Sequence, residues 1–254
     1  MLVDKICEEI LRKLDVSLIT EDVCVGLRYT YAVVRAGSRR VMGVAYTPLE
    51  DLSSCSPLRE YPDANSVPEM LRSHDILERT IAIAFLNAVS SLLFTLPEES
   101  VGKDPLDVIE LDPSDTVVFV GYTGPIINRV KNRVGKVFIL ERNPTRRRDA
   151  LPDVAAPRII PLATKLFITG ATLVNDTIDY ILSLKSKDAT TILVGATAGL
   201  PPSLLFRAGI DVVSSFRILE NQIDNAARCL RLGCGTRELY RYGYKYTITK
   251  DTLV

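Results

Sequence analysis

A chain of 254 residues is too long for a disulfide-stapled miniprotein and long enough for one or two domains with a buried core. Its 47% hydrophobic and 24% charged residues place it in the globular range and outside the disordered one. Lys+Arg and Asp+Glu both count 31, so no net field draws the chain to nucleic acid or to an anionic membrane. The five cysteines make no disulfide framework, only Cys229 and Cys234 stand close in sequence, and a reducing cytoplasm is the expected setting.

Met1 to Leu14 carries Val3, Ile6, Cys7, Ile10, Leu11 and Leu14 at helical spacing, unlike the apolar block of a signal peptide. Val23 to Arg35 then alternates Val23, Val25, Leu27, Tyr29, Tyr31 and Val33, and Arg40 to Tyr46 repeats a strand pattern after Gly37 and Ser38. An antiparallel hairpin or meander is expected. Thr47 to Asn65, rich in Ser, Pro and Asp, reads as a long surface loop, either functional or a plain connector. Ser66 to Ser73 gives a short helix, and Asp75 with Glu78 gives a capping-box-like start to a long helix reaching about Thr95. That helix is the most hydrophobic stretch of the chain, but Asn87, Ser90 and Ser91 within it point to a buried core helix and not a membrane span. The first hundred residues therefore read as an α+β unit.

Pro97 to Ser114 is dense in Pro, Asp, Glu and Gly, and beyond it strand and helix patterns alternate. Strands are expected at Thr116–Val120, Lys136–Glu141, Lys165–Thr169, Thr190–Val194 and Val212–Phe216, with a further one at Tyr244–Ile248. Helices are expected at Ile126–Arg133, Asn175–Leu184, Pro201–Arg207 and Glu220–Leu232. Continuous apolar strands such as VVFV and TILV suit a parallel sheet covered on both faces. The expected fold is α/β, a Rossmann-like doubly wound parallel sheet at 115–254, after an α+β domain at 1–98 and a linker at 99–114.

Ligands of such sheets bind outside the carboxyl ends of the strands, where the strand order reverses. Gly121, Tyr122, Thr123, Gly124 and Pro125 form the first candidate loop: its glycines let backbone approach a ligand, and Pro125 suits a first helical turn. The pattern is GxxGP and not GxGxxG. Glu141 ends the next strand where a dinucleotide fold places a carboxylate for ribose hydroxyls, so a nucleotide-like ligand stands against a tight βα turn with a solvated acid. Asn143 follows on the same loop. Thr169, Gly170, Thr172, Asn175 and Asp176 make the second loop, with more polar side chains than one helix cap needs. Gly195 and Thr197 open a third, which ends in Pro201 and Pro202.

The runs LFITGATLVNDTIDYIL, ILVGATAGLPPSLLFRAGIDVV, VVFVGYTGPI, FILERNP, RVMGVAYTP and ERTIAIAFLNA resemble the DUF364 proteins with their DUF4213 N-terminal partner, from about Val23 to Ile248. The resemblance implies an enolase N-terminal-like α+β domain joined to a Rossmann-like domain, a site in the cleft between them, and a role in heavy-metal chelation. It carries Gly121, Pro125, Glu141, Thr169, Gly170, Thr172, Asn175, Gly195 and Asn87 into that site. Asn87 lies in a helix apolar nearly all round, where its amide either faces the cleft or bonds backbone of the long loop.

Metal ligation has little support from the residues themselves. His74 is the single histidine and stands at a helix start. Cys229 and Cys234 are about 140° apart round a helix unless Gly233 ends it between them. A metal would come through oxygens such as Glu141 and Asp176 or already inside an organic chelate. Arg142, Arg146, Arg147 and Arg148 form a basic cluster, a phosphate or carboxylate clamp or a solvated salt-bridged loop. No GxSxG elbow occurs, and hydrolase chemistry is set aside. The sequence thus points to a cytoplasmic protein binding a metal ion, metal chelate or nucleotide-like ligand between its domains. The alternative is a transferase or oxidoreductase-like enzyme on a nucleotide-bearing or tetrapyrrole-like substrate. Nucleic acid and membrane partners are not expected, and a homodimer is left open.

Overall fold

The computed structural model describes residues 1–54, 56–58 and 60–253. The N-terminal unit contains α1 (Leu2–Arg12), a meander of β1 (Leu18–Val25), β2 (Tyr29–Ala36) and β3 (Arg39–Tyr46), then α2 (Val67–Arg72) and α3 (Ile76–Ser90). The C-terminal unit runs β4 (Thr116–Val120), α4 (Gly124–Val130), β5 (Lys136–Glu141), β6 (Leu151–Pro152), α5 (Ala156–Ile159) and β7 (Lys165–Thr169). It continues with α6 (Ala171–Val174), α7 (Ile178–Leu184), β8 (Thr190–Val194), α8 (Pro202–Arg207), β9 (Val212–Ile218), α9 (Ile223–Arg231), α10 (Thr236–Leu239) and β10 (Gly243–Thr249).

The second sheet has seven strands in the order β10-β9-β8-β7-β4-β5-β6, parallel except for β10 against β9. The chain builds outward from β4 to β6, then returns to β7 on the other side of β4. The order therefore reverses between β4 and β7, which puts a crevice outside their carboxyl ends. Alternate residues cover opposite faces: Val118, Leu166, Ile168, Leu193 and Val213 join the core that contains α3 and α6, while Val117, Phe119, Phe167 and Ile192 pack with Ile127 and Val130 of α4. Phe119 and Phe167 stack with centroids 4.8 Å apart. Burial on both faces is why these strands read as unbroken apolar runs.

One core runs through both units. It joins Val3, Ile6 and Ile10 of α1 and the apolar residues of α3 to Leu166, Ile168, Leu173 and Leu205. Helix α3 is buried almost all round, as expected of a core helix. It ends at Ser90, short of Thr95. Among the described residues no helix is long and apolar enough to cross a membrane.

Three local expectations are corrected. The alternation read as one strand from Val23 to Arg35 is broken by a turn at Gly26 to Arg28, where Leu27 is exposed. The pattern misled because β2 is buried on both faces, by α3 on one side and by Ile223, Ala226 and Leu230 of α9 on the other. The helix expected over Asn175–Leu184 begins three residues later, at Ile178: Asp176 takes φ +62°, a left-handed conformation that separates α7 from α6. Third, Cys229 and Cys234 form a disulfide. Helix α9 stops at Arg231, Gly233 adopts φ +84°, and the chain folds back so that the two Cα atoms are 5.3 Å apart. Cys7 is buried and free, Cys24 half-buried and free, and Cys55 lies outside the described residues.

Candidate functional site

The β4–α4 loop begins at Gly121, whose φ is +92° and whose notional Cβ would lie 2.6 Å from Thr169 Cγ2. Glycine is thus required by backbone conformation and by the approach of the loop after β7. Glu141, at the end of β5, accepts the Tyr122 N–H at 3.0 Å and the Asn143 N–H at 2.8 Å. Its carboxylate ties the loops after β4 and β5 together. Asn143 is buried, and its Oδ1 accepts from the Thr145 N–H and hydroxyl.

The second loop uses its polar groups internally. The Thr172 hydroxyl donates to Thr169 O at 2.7 Å, and Asn175 Oδ1 accepts from the Thr177 hydroxyl at 2.7 Å and its N–H at 3.3 Å. Asp176 Oδ1 pairs with the buried Arg79 guanidinium at 3.1 Å. Arg79 also donates to Val174 O at 2.9 Å and to Leu71 O. One side chain of the N-terminal unit thereby fixes the end of α2 and the α6–α7 corner.

The third loop meets the N-terminal unit directly. A Cβ on Gly170 would lie 2.9 Å from Ala198 N, which brings the second and third loops into contact. Thr197 Oγ1 accepts the Tyr46 N–H at 2.9 Å. Asn87 Nδ2 donates to Val44 O at 2.8 Å and Thr197 O at 2.9 Å. Its Oδ1 has no partner among the described residues, and Asn87 lines a cavity of about 20 Å³ with Gly43, Gly199 and Arg217. That volume fits a single water. Asn87 therefore bonds the strand end and the third loop, not the long loop.

Over this floor lies the segment that follows β3. Tyr46 accepts from Arg146 Nη1 at 2.7 Å, and the guanidinium sits 5.4 Å from the Tyr46 ring centroid. Burial pushes the Tyr46 phenol up to about 12, opposed by Arg146 and assisted by Glu50 and Glu141. The phenol therefore stays protonated and donates toward the Glu50 carboxylate at 3.4 Å. Arg142 donates to Asp51 at 2.9 Å, Arg147 to Glu141 O and Arg142 O, and Arg148 lies over the Tyr122 ring. Arg142 and Arg146 clasp the two units together while Arg147 and Arg148 brace their own loop, and Tyr46, Glu50 and Asp51 are members of the site region that the sequence did not single out. One further atom stands out: Thr123 Oγ1 is buried and has no partner among the described residues. It sits on the loop after β4, at the reversal of strand order.

Gly121, Thr123, Glu141, Asn143, Thr169, Gly170, Thr197 and Asn87 thus converge through shared contacts, with Gly124 and Pro125 opening α4 beside them. Gly195, at φ +116°, starts the third loop. Thr172, Asn175 and Asp176 serve the second loop and the Arg79 pairing.

Residues 104–249 match the DUF364 family and residues 7–90 match DUF4213, both described as "Putative heavy-metal chelation". The chain belongs to the DUF364 family. A DUF364 crystal structure from Pyrococcus horikoshii, of a protein with unknown function, superposes with a TM-score of 0.88 at 26% identity, covering 98% of this chain and 100% of that one. A second, from Desulfitobacterium hafniense, gives 0.74 at 20% identity over 98% of each chain and bears on the fold alone. An uncharacterised protein of Methanocaldococcus jannaschii is 30% identical over 233 residues, 89% of this chain and 88% of that one.

The family description names a metal, and the donor set of this DUF364 protein can be set against it. Among the described residues no three His, Cys, Asp or Glu side chains gather to hold an ion. Both Glu141 oxygens accept backbone N–H groups, Asp176 is paired with Arg79, His74 is exposed, and two cysteines are joined to each other. Soft metals need thiolates or imidazoles, and hard ones need several free oxygens. These residues do not fit a bare ion held by protein ligands alone.

Proposed function

We propose that this protein binds a small organic anion in the crevice outside β4, β5, β7 and β8, beneath Tyr46 and Arg146, and that any metal arrives as that ligand's chelate. The observation that carries the reading is the buried, unpartnered Thr123 Oγ1 at the reversal of strand order. A buried hydroxyl left without a partner costs about 1–3 kcal/mol, and a ligand atom would remove that cost. Arg146, held against Tyr46, supplies a guanidinium fork at the same mouth. The family description supports chelation as the role, and the donor set favours a chelate over an ion.

The test is a thermal-shift series with citrate, inorganic phosphate and adenosine monophosphate, each alone and with Ni²⁺, against Ni²⁺ alone. At least one anion should stabilise the protein, by about 2.7 kcal/mol at a hundred times its Kd, and Ni²⁺ alone should not. Thr123→Val should leave the free protein as stable as before or more so, because it deletes an orphaned hydroxyl, while weakening the anion about tenfold. Stabilisation by Ni²⁺ alone, undiminished in Thr123→Val, would refute the reading.

A further inference from the structure

We propose that the Cys229–Cys234 disulfide is a thiol–disulfide exchange site for a low-molecular-weight thiol carrying carboxylates, which docks in the adjoining cavity against Arg228 and Arg241. Both cysteines line a cavity of about 320 Å³, with Arg228, Arg241, Glu238 and Tyr242 around it. That is the lower end of the size range of small-molecule pockets. Neither guanidinium joins an ion pair among the described residues, so both are available to an incoming anion. Glu238 also lines the cavity, where its Oε2 accepts the Gly235 N–H at 2.8 Å and caps α10; its single negative charge leaves the two guanidinium groups in excess. The cavity thus pairs a reducible bond with an excess of positive charge.

The two sulfurs differ in access. Cys229 is 8% exposed on α9, whereas Cys234 lies half-buried on the loop beyond the helix. The incoming thiolate attacks Cys234 Sγ; the Sγ–Sγ bond breaks, and its electron pair leaves on Cys229 Sγ, which takes a proton from water. A second thiolate attacks the outer sulfur of the mixed disulfide and releases Cys234 as thiolate, which takes a second proton from water. Two small thiols are oxidised to their disulfide, and the protein gains two electrons and two protons. Cys24 is a free, half-buried thiol near Arg231, so the test removes it.

The experiment compares glutathione, 2-mercaptoethanol and cysteamine at equal thiolate concentration on the oxidised, folded protein with Cys24→Ser and Cys55→Ser, followed by intact mass and peptide mapping. The expected product is the mixed disulfide on Cys234, formed about tenfold faster by the anionic thiol than by cysteamine. Arg228→Ala with Arg241→Ala should erase that preference and leave the cysteamine rate as it was. Should that variant fail to fold, added salt must erase the preference in the parent protein instead. Three equal rates, an adduct on Cys229, or a disulfide that opens only on unfolding would each overturn the proposal.

Discussion

Replacing Arg79 by Leu should destabilise the protein by about 3–5 kcal/mol, which for a chain this long lowers Tm by on the order of 10 °C. Arg79 is 8% exposed, and its donors reach Val174 O, Leu71 O and the Asp176 carboxylate. Leucine fills part of the volume but leaves two carbonyls and a partly buried carboxylate without their donor. Arg79→Lys keeps the charge but cannot serve three directions at once, so it should fall between. Asp176→Asn should cost less than Arg79→Leu, because asparagine tolerates the left-handed backbone and can still accept from the guanidinium. Chemical denaturation of the three variants checks the ranking. Equal stability of Arg79→Leu and the parent would contradict the role given to this pairing.

The second large effect belongs to Gly43. Strand β3 crosses α3 so closely that a Cβ on Gly43 would lie 2.1 Å from Ala88 N and 2.2 Å from Ala84 O. These are backbone atoms of a buried helix, so no side-chain rotation relieves the clash, and α3 must move away from the sheet. Gly43→Ala should therefore cost about 3 kcal/mol or more and leave much of the protein insoluble. Because Asn87 lies one residue before Ala88 and bonds Val44 O, soluble Gly43→Ala protein should also lose the contact between β3 and the third loop. Gly37→Ala is the control: nothing lies within 4 Å of a Cβ there, so only the φ of +60° is penalised, by about 1 kcal/mol. Solubility and denaturation midpoints of the two variants decide the matter.

Much of the second sheet was legible because chemistry and period agree there. Thr116–Val120, Lys136–Glu141, Lys165–Thr169 and Thr190–Val194 are observed with the bounds that their apolar runs and flanking glycines predict. The reversal between β4 and β7 then follows from topology, and it selects the very loops that the glycine and threonine clusters had marked. Other features left no such signal. The Gly26 turn hides inside an alternation that continues through it. Strand β6 is two residues long and carries no pattern. The disulfide depends on where α9 ends, which a sequence separation of five does not reveal. Arg79 was readable in principle: a cation in a helix apolar all round must find carbonyls and a carboxylate, but Val174 and Asp176 lie about a hundred residues away. The polar surplus of TGATLVNDT resolves into Asn175, Thr172 and Asp176 contacts within the protein. Those side chains shape the corner on which Thr169 and Gly170 sit.

Whether the proposed crevice takes an organic anion or a bare metal ion is read by native mass spectrometry with elemental analysis, on protein purified without a metal-affinity tag. The expected result is a retained organic mass, with any metal in fixed proportion to it, and loss of both together in Thr123→Val and Arg146→Ala. A stoichiometric metal with no organic companion, held equally by those variants, would contradict it.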